Sequence, residues 1–236
     1  MASALIVDMQ HENPTKDQLQ PVLNLYHQGQ LHRAFEKATD LLLEFPKSEL
    51  MYNICGVAKQ GLGEFQLAED YFKKALSLKS DYAEGHNNLG ATLQALGRFD
   101  EAIKSYKSAL SLKPDYAEGY NNLGVVLQAV GKFDEAIEAH GKAVALKPEY
   151  ALSFYNIGNA KKVLGKFDEA IASYNKALAI NPDYAEAHSN LGVTLQQCNK
   201  FDEALKAHNK ALAIKPDQAE FYNNLGTTLQ AIGEFG

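Results

Sequence analysis

The chain has 236 residues, 46% of them apolar and 22% charged, with no Trp and a formal net charge of −6. At a pI near 5.7 it lacks the Lys/Arg surplus that a phosphate backbone or an anionic bilayer surface calls for, which sets aside nucleic acids and membrane surfaces as partners. No apolar run approaches the roughly 18 residues of a spanning helix.

Residues 1–14 read as an N-terminal tail. The stretch Met1 to Gln10 has no Lys or Arg ahead of its short apolar part, and Asp8 interrupts that part too early for a secretory signal. Cys55 and Cys198 lie far apart and show no metal or redox spacing, which favours a reduced, cytoplasmic compartment.

From Thr15 onward the chain repeats itself. Phe-Asp-Glu-Ala returns at Phe99, Phe133, Phe167 and Phe201, and Asn-Leu-Gly at Asn88, Asn122, Asn190 and Asn224, all on a 34-residue step. Numbering each unit in slots from 1 to 34 divides the chain into 15–48, 49–82, 83–116, 117–150, 151–184, 185–218 and a truncated 219–236. A period of this length is the mark of a stacked-repeat architecture.

Each unit predicts two helices. In the first, slots 4, 7, 8 and 11 form a helical stripe, as in Tyr120, Leu123, Gly124 and Leu127. Gly63, Gly97, Gly131 and Gly165 in slot 15 end it in the manner of C-cap glycines. The second helix starts near Asp134-Glu135, turns Ala136, Ile137, His140, Ala143 and Val144 inward, and stops at Pro148. Asp in slot 33 with Glu in slot 2, as in Asp81/Glu84 and Asp115/Glu118, predicts an Asp form of the capping box for the next first helix. Small residues in slots 8 and 20 let paired helices approach closely, and strand signals are absent.

An aromatic in slot 4, Leu in 7, Gly in 8, Ala in 20, an aromatic in 24, Ala in 27 and Pro in 32 together resemble the tetratricopeptide repeat (TPR) family. The resemblance covers Thr15 to Gly236 and is weakest over 15–48. Cys55 in slot 7, Lys161 in slot 11, Asn199 in slot 15 and Ser80 in slot 32 depart from it. It implies an all-α, right-handed superhelical solenoid of antiparallel helix pairs whose first helices line a concave groove. Such a scaffold holds a peptide or partner protein rather than catalysing a reaction.

Slots 5, 6, 9, 12 and 13 lie away from the predicted stripe and are expected to face that groove. Slot 6 carries Asn88, Asn122, Asn156, Asn190 and Asn224; slot 12 carries Gln94 and Gln128, with Lys162 interrupting the series. A side-chain amide both donates and accepts, which matches a peptide unit. With helices roughly 8–10 Å apart and an extended chain advancing about 3.3 Å per residue, one Asn per repeat meets about every third backbone amide. Specificity is then left to the varying slots, among them Tyr155, Asn159, Lys162 and Gln197. The asparagine ladder is similar to that of the O-linked N-acetylglucosamine transferase repeat domain, which implies the five slot-6 asparagines as peptide clamps. The alternative is that they bond within the helix stack and touch no ligand.

Other signals point to packing. His140 and His208 share slot 24 and are expected to fill an aromatic slot, Cys55 to act as a small hydrophobe, and no metal or cofactor is implied. The basic pairs in slots 2, 5 and 6 that co-chaperone repeats use on a C-terminal carboxylate are missing, and slot 2 is mostly Glu. The final unit halts where its second helix should start, so the chain reads as part of a longer protein whose uncapped last helix allows end-to-end self-association. Two other functions fit the repeat: a substrate-recruiting arm of a larger glycosyltransferase-like enzyme, and a self-assembling scaffold.

Overall fold

Thirteen α-helices and no strand make up residues 13–235, the part described by a computed structural model; for Glu234 and Phe235 this covers the backbone alone. Most of the predicted tail, residues 1–12, lies outside the described residues. The chain divides into two compact units, Met1–Pro114 and Asp115–Gly236. The first holds α1 (Lys16–His27), α2 (Leu31–Glu44), α3 (Glu49–Gly61), α4 (Phe65–Leu78), α5 (Ala83–Ala95) and α6 (Phe99–Leu112). The second holds α7 (Ala117–Ala129), α8 (Phe133–Leu146), α9 (Ala151–Val163), α10 (Phe167–Ile180), α11 (Ala185–Gln197), α12 (Phe201–Ile214) and α13 (Ala219–Phe235). Within each unit a first helix packs on its own second helix and the second on the next first helix. The fold is an all-α solenoid of antiparallel helix pairs.

The pairing is locked by one small–large contact. Slot 8 is Gly56, Gly90, Gly124, Gly158 and Gly192, and slot 24 opposite is Phe72, Tyr106, His140, Tyr174 and His208. A β-carbon on any of these glycines would lie 2.5 to 2.8 Å from the facing ring, inside contact distance. Each ring is buried, and burying a side chain of that size is worth about 1.5–3 kcal/mol. The first repeat keeps the volume by inverting the pair: Val22 stands in slot 8 and Ala38 in slot 24, both at 0% exposure and in one core cluster with Leu41, Met51 and Cys55. Cys55 is a core hydrophobe there, its thiol pushed up to about 12 by burial.

The turn after each first helix needs one left-handed residue. Gly29, Gly63, Gly97, Gly131 and Gly165 take φ between 71° and 78°. Asn199 replaces glycine in the sixth repeat and takes φ 58°, a region asparagine tolerates better than other side chains.

The predicted Asp–Glu capping box does not form. The N-caps of α5, α7, α9 and α11 are Tyr82, Tyr116, Tyr150 and Tyr184, none with a side-chain cap bond, so the acidic residue one position earlier (Asp81, Asp115, Glu149 or Asp183) lies outside capping position. The Glu makes a clasp instead. Lys113 donates to Glu84 at 2.9 Å and Lys215 to Glu186 at 2.6 Å, tying slot 31 back to slot 2 of the same repeat. The lysine partner holds each carboxyl below its usual range. Repeat 151–184 lacks both halves at once, with Leu152 and Asn181 in these slots. Side-chain caps are present near the start: Ser48 accepts from the Met51 N–H, and Thr15 with Gln18 forms a reciprocal box.

Candidate peptide-binding face

A first helix turns about 100° per residue, so burial sorts its slots. Slots 7, 8 and 11 meet the second helix, as Leu123, Gly124 and Leu127 do. Slots 3 and 10 are also buried, as in Ser153, Ala160, Ala187 and Thr194, where neighbouring first helices pack together. Slot 4 is only half-buried in α3, α5, α7, α9 and α11. In α5 and α11 it is a histidine whose Nε2 lies 3.0 Å from the Ser80 carbonyl (His86) or 2.9 Å from the Pro182 carbonyl (His188). Slots 2, 6, 9, 12 and 13 make up the open face.

Slot 5, expected on that face, is buried in α3, α5, α7 and α11, whereas Tyr155 in α9 is half-buried and Asn223 in α13 is exposed. Asn53, Asn87, Asn121 and Ser189 are 3 to 8% exposed and sit between adjacent first helices. The cause is their proximity to slot 6 of the next repeat. Asn88 Nδ2 donates to Asn53 Oδ1 (3.0 Å), Asn156 Nδ2 to Asn121 Oδ1 (3.2 Å) and Asn224 Nδ2 to Ser189 Oγ (3.0 Å). Asn190 Nδ2 donates to the Tyr155 hydroxyl (2.9 Å). The asparagine ladder is thus also an inter-helix ladder, which periodicity alone could not reveal because the bond joins residues 35 apart.

These bonds leave capacity over. A primary amide has two N–H donors and a carbonyl with two lone pairs. In Asn88, Asn156 and Asn224 the bond to slot 5 uses one N–H, and the other N–H and the side-chain carbonyl meet no protein partner among the described residues. Asn88, Asn122 and Asn224 are half-buried; Asn156 is 8% exposed.

Slot 12 bridges forward to the next repeat. Gln128 Nε2 donates to the Asn156 main-chain carbonyl at 2.7 Å, and Gln196 Oε1 accepts from Thr228 at 3.0 Å. Gln94 instead accepts from the Tyr106 hydroxyl at 3.2 Å within its own repeat.

Four of the predicted site residues converge around α9. Asn190 donates to both Tyr155 and Asn159 Oδ1 (3.0 Å) and accepts from Lys162 Nζ at 3.1 Å. Tyr174 completes the cluster by donating to Asn159 at 2.8 Å. The Tyr155 ring packs on Tyr184, centroids 4.9 Å apart. Burial raises the Tyr184 hydroxyl to about 12 and pushes the Lys162 ammonium down. Tyr174 and Tyr184 were not among the sequence-predicted site residues, and only the geometry shows them meeting α9.

Family models for the TPR repeat match residues 94–131, 158–197 and 194–233, and models for the tetratricopeptide repeat match 51–82, 83–103 and 117–150. The crystal structure of MamA is 31% identical, over 70% of this chain and 96% of that one, with a TM-score of 0.65. The chain belongs to the tetratricopeptide repeat family. TTC0263, a thermophilic TPR protein in Thermus thermophilus, is 27% identical over 78% of this chain and all of its own, with a TM-score of 0.59. YrrB, described as a TPR protein with an unusual peptide-binding site, shares the fold at 23% identity and a TM-score of 0.65, over 79% of this chain and 96% of its own. Comparison with curated proteins returns no match. Stacked TPR units make a protein-interaction scaffold, and no helix among the described residues is long and apolar enough to cross a membrane.

Proposed function

We propose that the first-helix face of the C-terminal unit binds an extended peptide, gripping its main chain with the slot-6 asparagines. The observation that carries this reading is the ladder geometry. Each of Asn156 and Asn224 is held in place by one hydrogen bond to the preceding repeat, and each keeps a donor and an acceptor. A donor–acceptor pair fixed before the ligand arrives costs little ordering entropy on binding. Main-chain contact of this kind reads no side chain, so the ladder supplies affinity and the residues around it supply choice.

The test is selection from a displayed library of random nonapeptides, run in parallel on the wild type and on the Asn156→Ala/Asn224→Ala double variant. The wild type enriches binders, and the double variant, checked for helicity by circular dichroism, loses at least tenfold in affinity for them. Equal affinity for both proteins would remove the main-chain mechanism.

A second reading rests on α13, where Tyr222 is 54% and Leu229 53% exposed on one helix. Two such helices from separate copies would cover one another. Sedimentation velocity across a hundredfold concentration range checks it: a rise in mass that Leu229→Glu abolishes supports self-association, and a constant monomer rejects it.

A further inference from the structure

The repeats of one chain are an internal alignment, and repeat 151–184 is the outlier on one helix only. Its second helix, α10, keeps the common pattern. Its first helix, α9, departs in slots 2, 5, 9, 11, 12 and 13, with Leu152, Tyr155, Asn159, Lys161, Lys162 and Val163. The buried positions Ile157, Gly158 and Ala160 stay apolar or small. Four of these six changes, in slots 2, 9, 12 and 13, fall on the open side, and the other two, Tyr155 and Lys161, replace residues that are buried in repeats 83–116, 117–150 and 185–218. Such a cluster of change on one side of a helix marks a surface that meets something.

At this rung the ladder amide is closed. Asn190 spends both N–H groups on Tyr155 and Asn159 and its carbonyl on Lys162. The groups left for a visitor are the other two N–H donors of the Lys162 ammonium and the O–H of Tyr155, which only accepts from Asn190. Lys162 is half-buried and has no carboxylate at ion-pair distance among the described residues; its neighbour Lys161, by contrast, is paired with Glu169 at 3.0 Å. Glu220 acts on Lys162 only as a more distant charge. The flanking repeats carry Glu118 and Glu186 in slot 2, and here that carboxylate is replaced by Leu152, 39% exposed. Val163, beside Lys162, is 60% exposed.

Building on the peptide-binding reading above, we propose that Lys162 is the specificity residue of this face and takes an internal Asp or Glu side chain of the bound peptide. The Tyr155 hydroxyl donates to the same carboxylate, and an apolar neighbour of the acidic residue lies against Val163. An internal residue fits better than a chain end because open rungs stand on both sides, Asn156 before and Asn224 after, so the peptide continues past the site. A half-buried ammonium without a counter-ion gains more from a carboxylate than an exposed one, since less water screens the pair.

Lys162→Gln restores the residue that fills slot 12 in four of the other complete repeats, at Gln60, Gln94, Gln128 and Gln196, so this variant keeps the fold. The experiment is the same nonapeptide selection, with C-termini amidated in one arm and free in the other, on wild type, Lys162→Gln and Lys162→Glu. The wild type enriches Asp or Glu at one internal position in both arms. Lys162→Gln still binds but loses the acidic preference, and its affinity for the acidic winners falls at least fivefold; Lys162→Glu prefers Lys or Arg there. Binders without acidic preference, or acidic preference that survives Lys162→Gln, overturn the assignment while leaving the ladder reading intact. Enrichment in the free C-terminus arm alone overturns the internal-residue assignment. Failure of the wild type to enrich any peptide overturns both readings.

Discussion

Helices α7 and α9 stand one repeat apart and share the slot-8 glycine contact, yet their open faces differ. Both carry Gly in slot 8 against a slot-24 ring, Gly124 under His140 and Gly158 under Tyr174. Both place a slot-6 Asn half-way into the surface or deeper. On the open side α7 shows Glu118, Val125 and Gln128 where α9 shows Leu152, Asn159 and Lys162. The buried slots therefore set the fold and the open slots are free to be spent on recognition.

The sharpest way to break the shared frame is Gly158→Val. A β-carbon there would lie 2.5 Å from Tyr174, on a ring with no exposure. A loss of about 3 kcal/mol or more is expected, with failure to fold at the upper end, measured by urea denaturation. The same change at Gly226, where nothing lies near the site of a β-carbon, costs only helix propensity, on the order of 0.5 kcal/mol either way.

Tyrosine and histidine in slot 24 differ in a way that pH exposes. Tyr174 and Tyr106 each find a hydrogen-bond acceptor, Asn159 and Gln94. His140 and His208 are fully buried, and no ring nitrogen of either has a hydrogen-bond partner among the described residues. Burial pushes His140 down from 6.5 to about 4 and lowers His208 too. The unfolded chain therefore binds these protons before the folded one does. Stability is full above pH 6.5 and falls as pH drops from there towards 4, by an amount on the order of 2–3 kcal/mol for His140. His140→Tyr, which installs the residue of the neighbouring repeat, should flatten that part of the pH–stability curve. An unchanged slope between pH 6.5 and 4 would show that His140 does not carry it.

Smaller effects follow at the ladder and the clasp. Asn156→Ala removes the bond to Asn121 and is expected to cost about 1 kcal/mol in denaturation, besides its effect on binding. That cost is visible only in the structure, because the bond joins two repeats. Installing the missing clasp, Leu152→Glu with Asn181→Lys, should add no more than about 0.5 kcal/mol, because both groups are exposed.

Much of this frame was legible in the residues. The period, the two helices per repeat, the glycine turns and the slot-24 role of the histidines rest on patterns that packing enforces locally. What the sequence misassigned were contacts distant along the chain: slot 5 as groove, although it bonds to the next repeat, and slot 2 Glu as a cap, although it is clasped by slot 31 of its own repeat. Both depend on partners about 30 residues away. The limit of local reading shows in two near-identical strings. Leu62-Gly63-Glu64-Phe65 makes the left-handed turn into α4, whereas Ile232-Gly233-Glu234-Phe235 stays helical in α13. Glycine permits the turn, and at Gly63 the packing of α4 on α3 draws the chain into it.

Slot-6 amides that are anchored yet still open report on their own state through their N–H signals. In a ¹⁵N–¹H spectrum, the Asn156 and Asn224 side-chain Nδ2 resonances should already be dispersed by their bonds to slot 5. They should shift further when a selected nonapeptide is added, while amides on the outer side of α10 and α12 stay still. Asn156 and Asn224 signals that remain fixed at saturating peptide, with the shifts falling on α10 and α12 instead, would contradict main-chain binding by these amides.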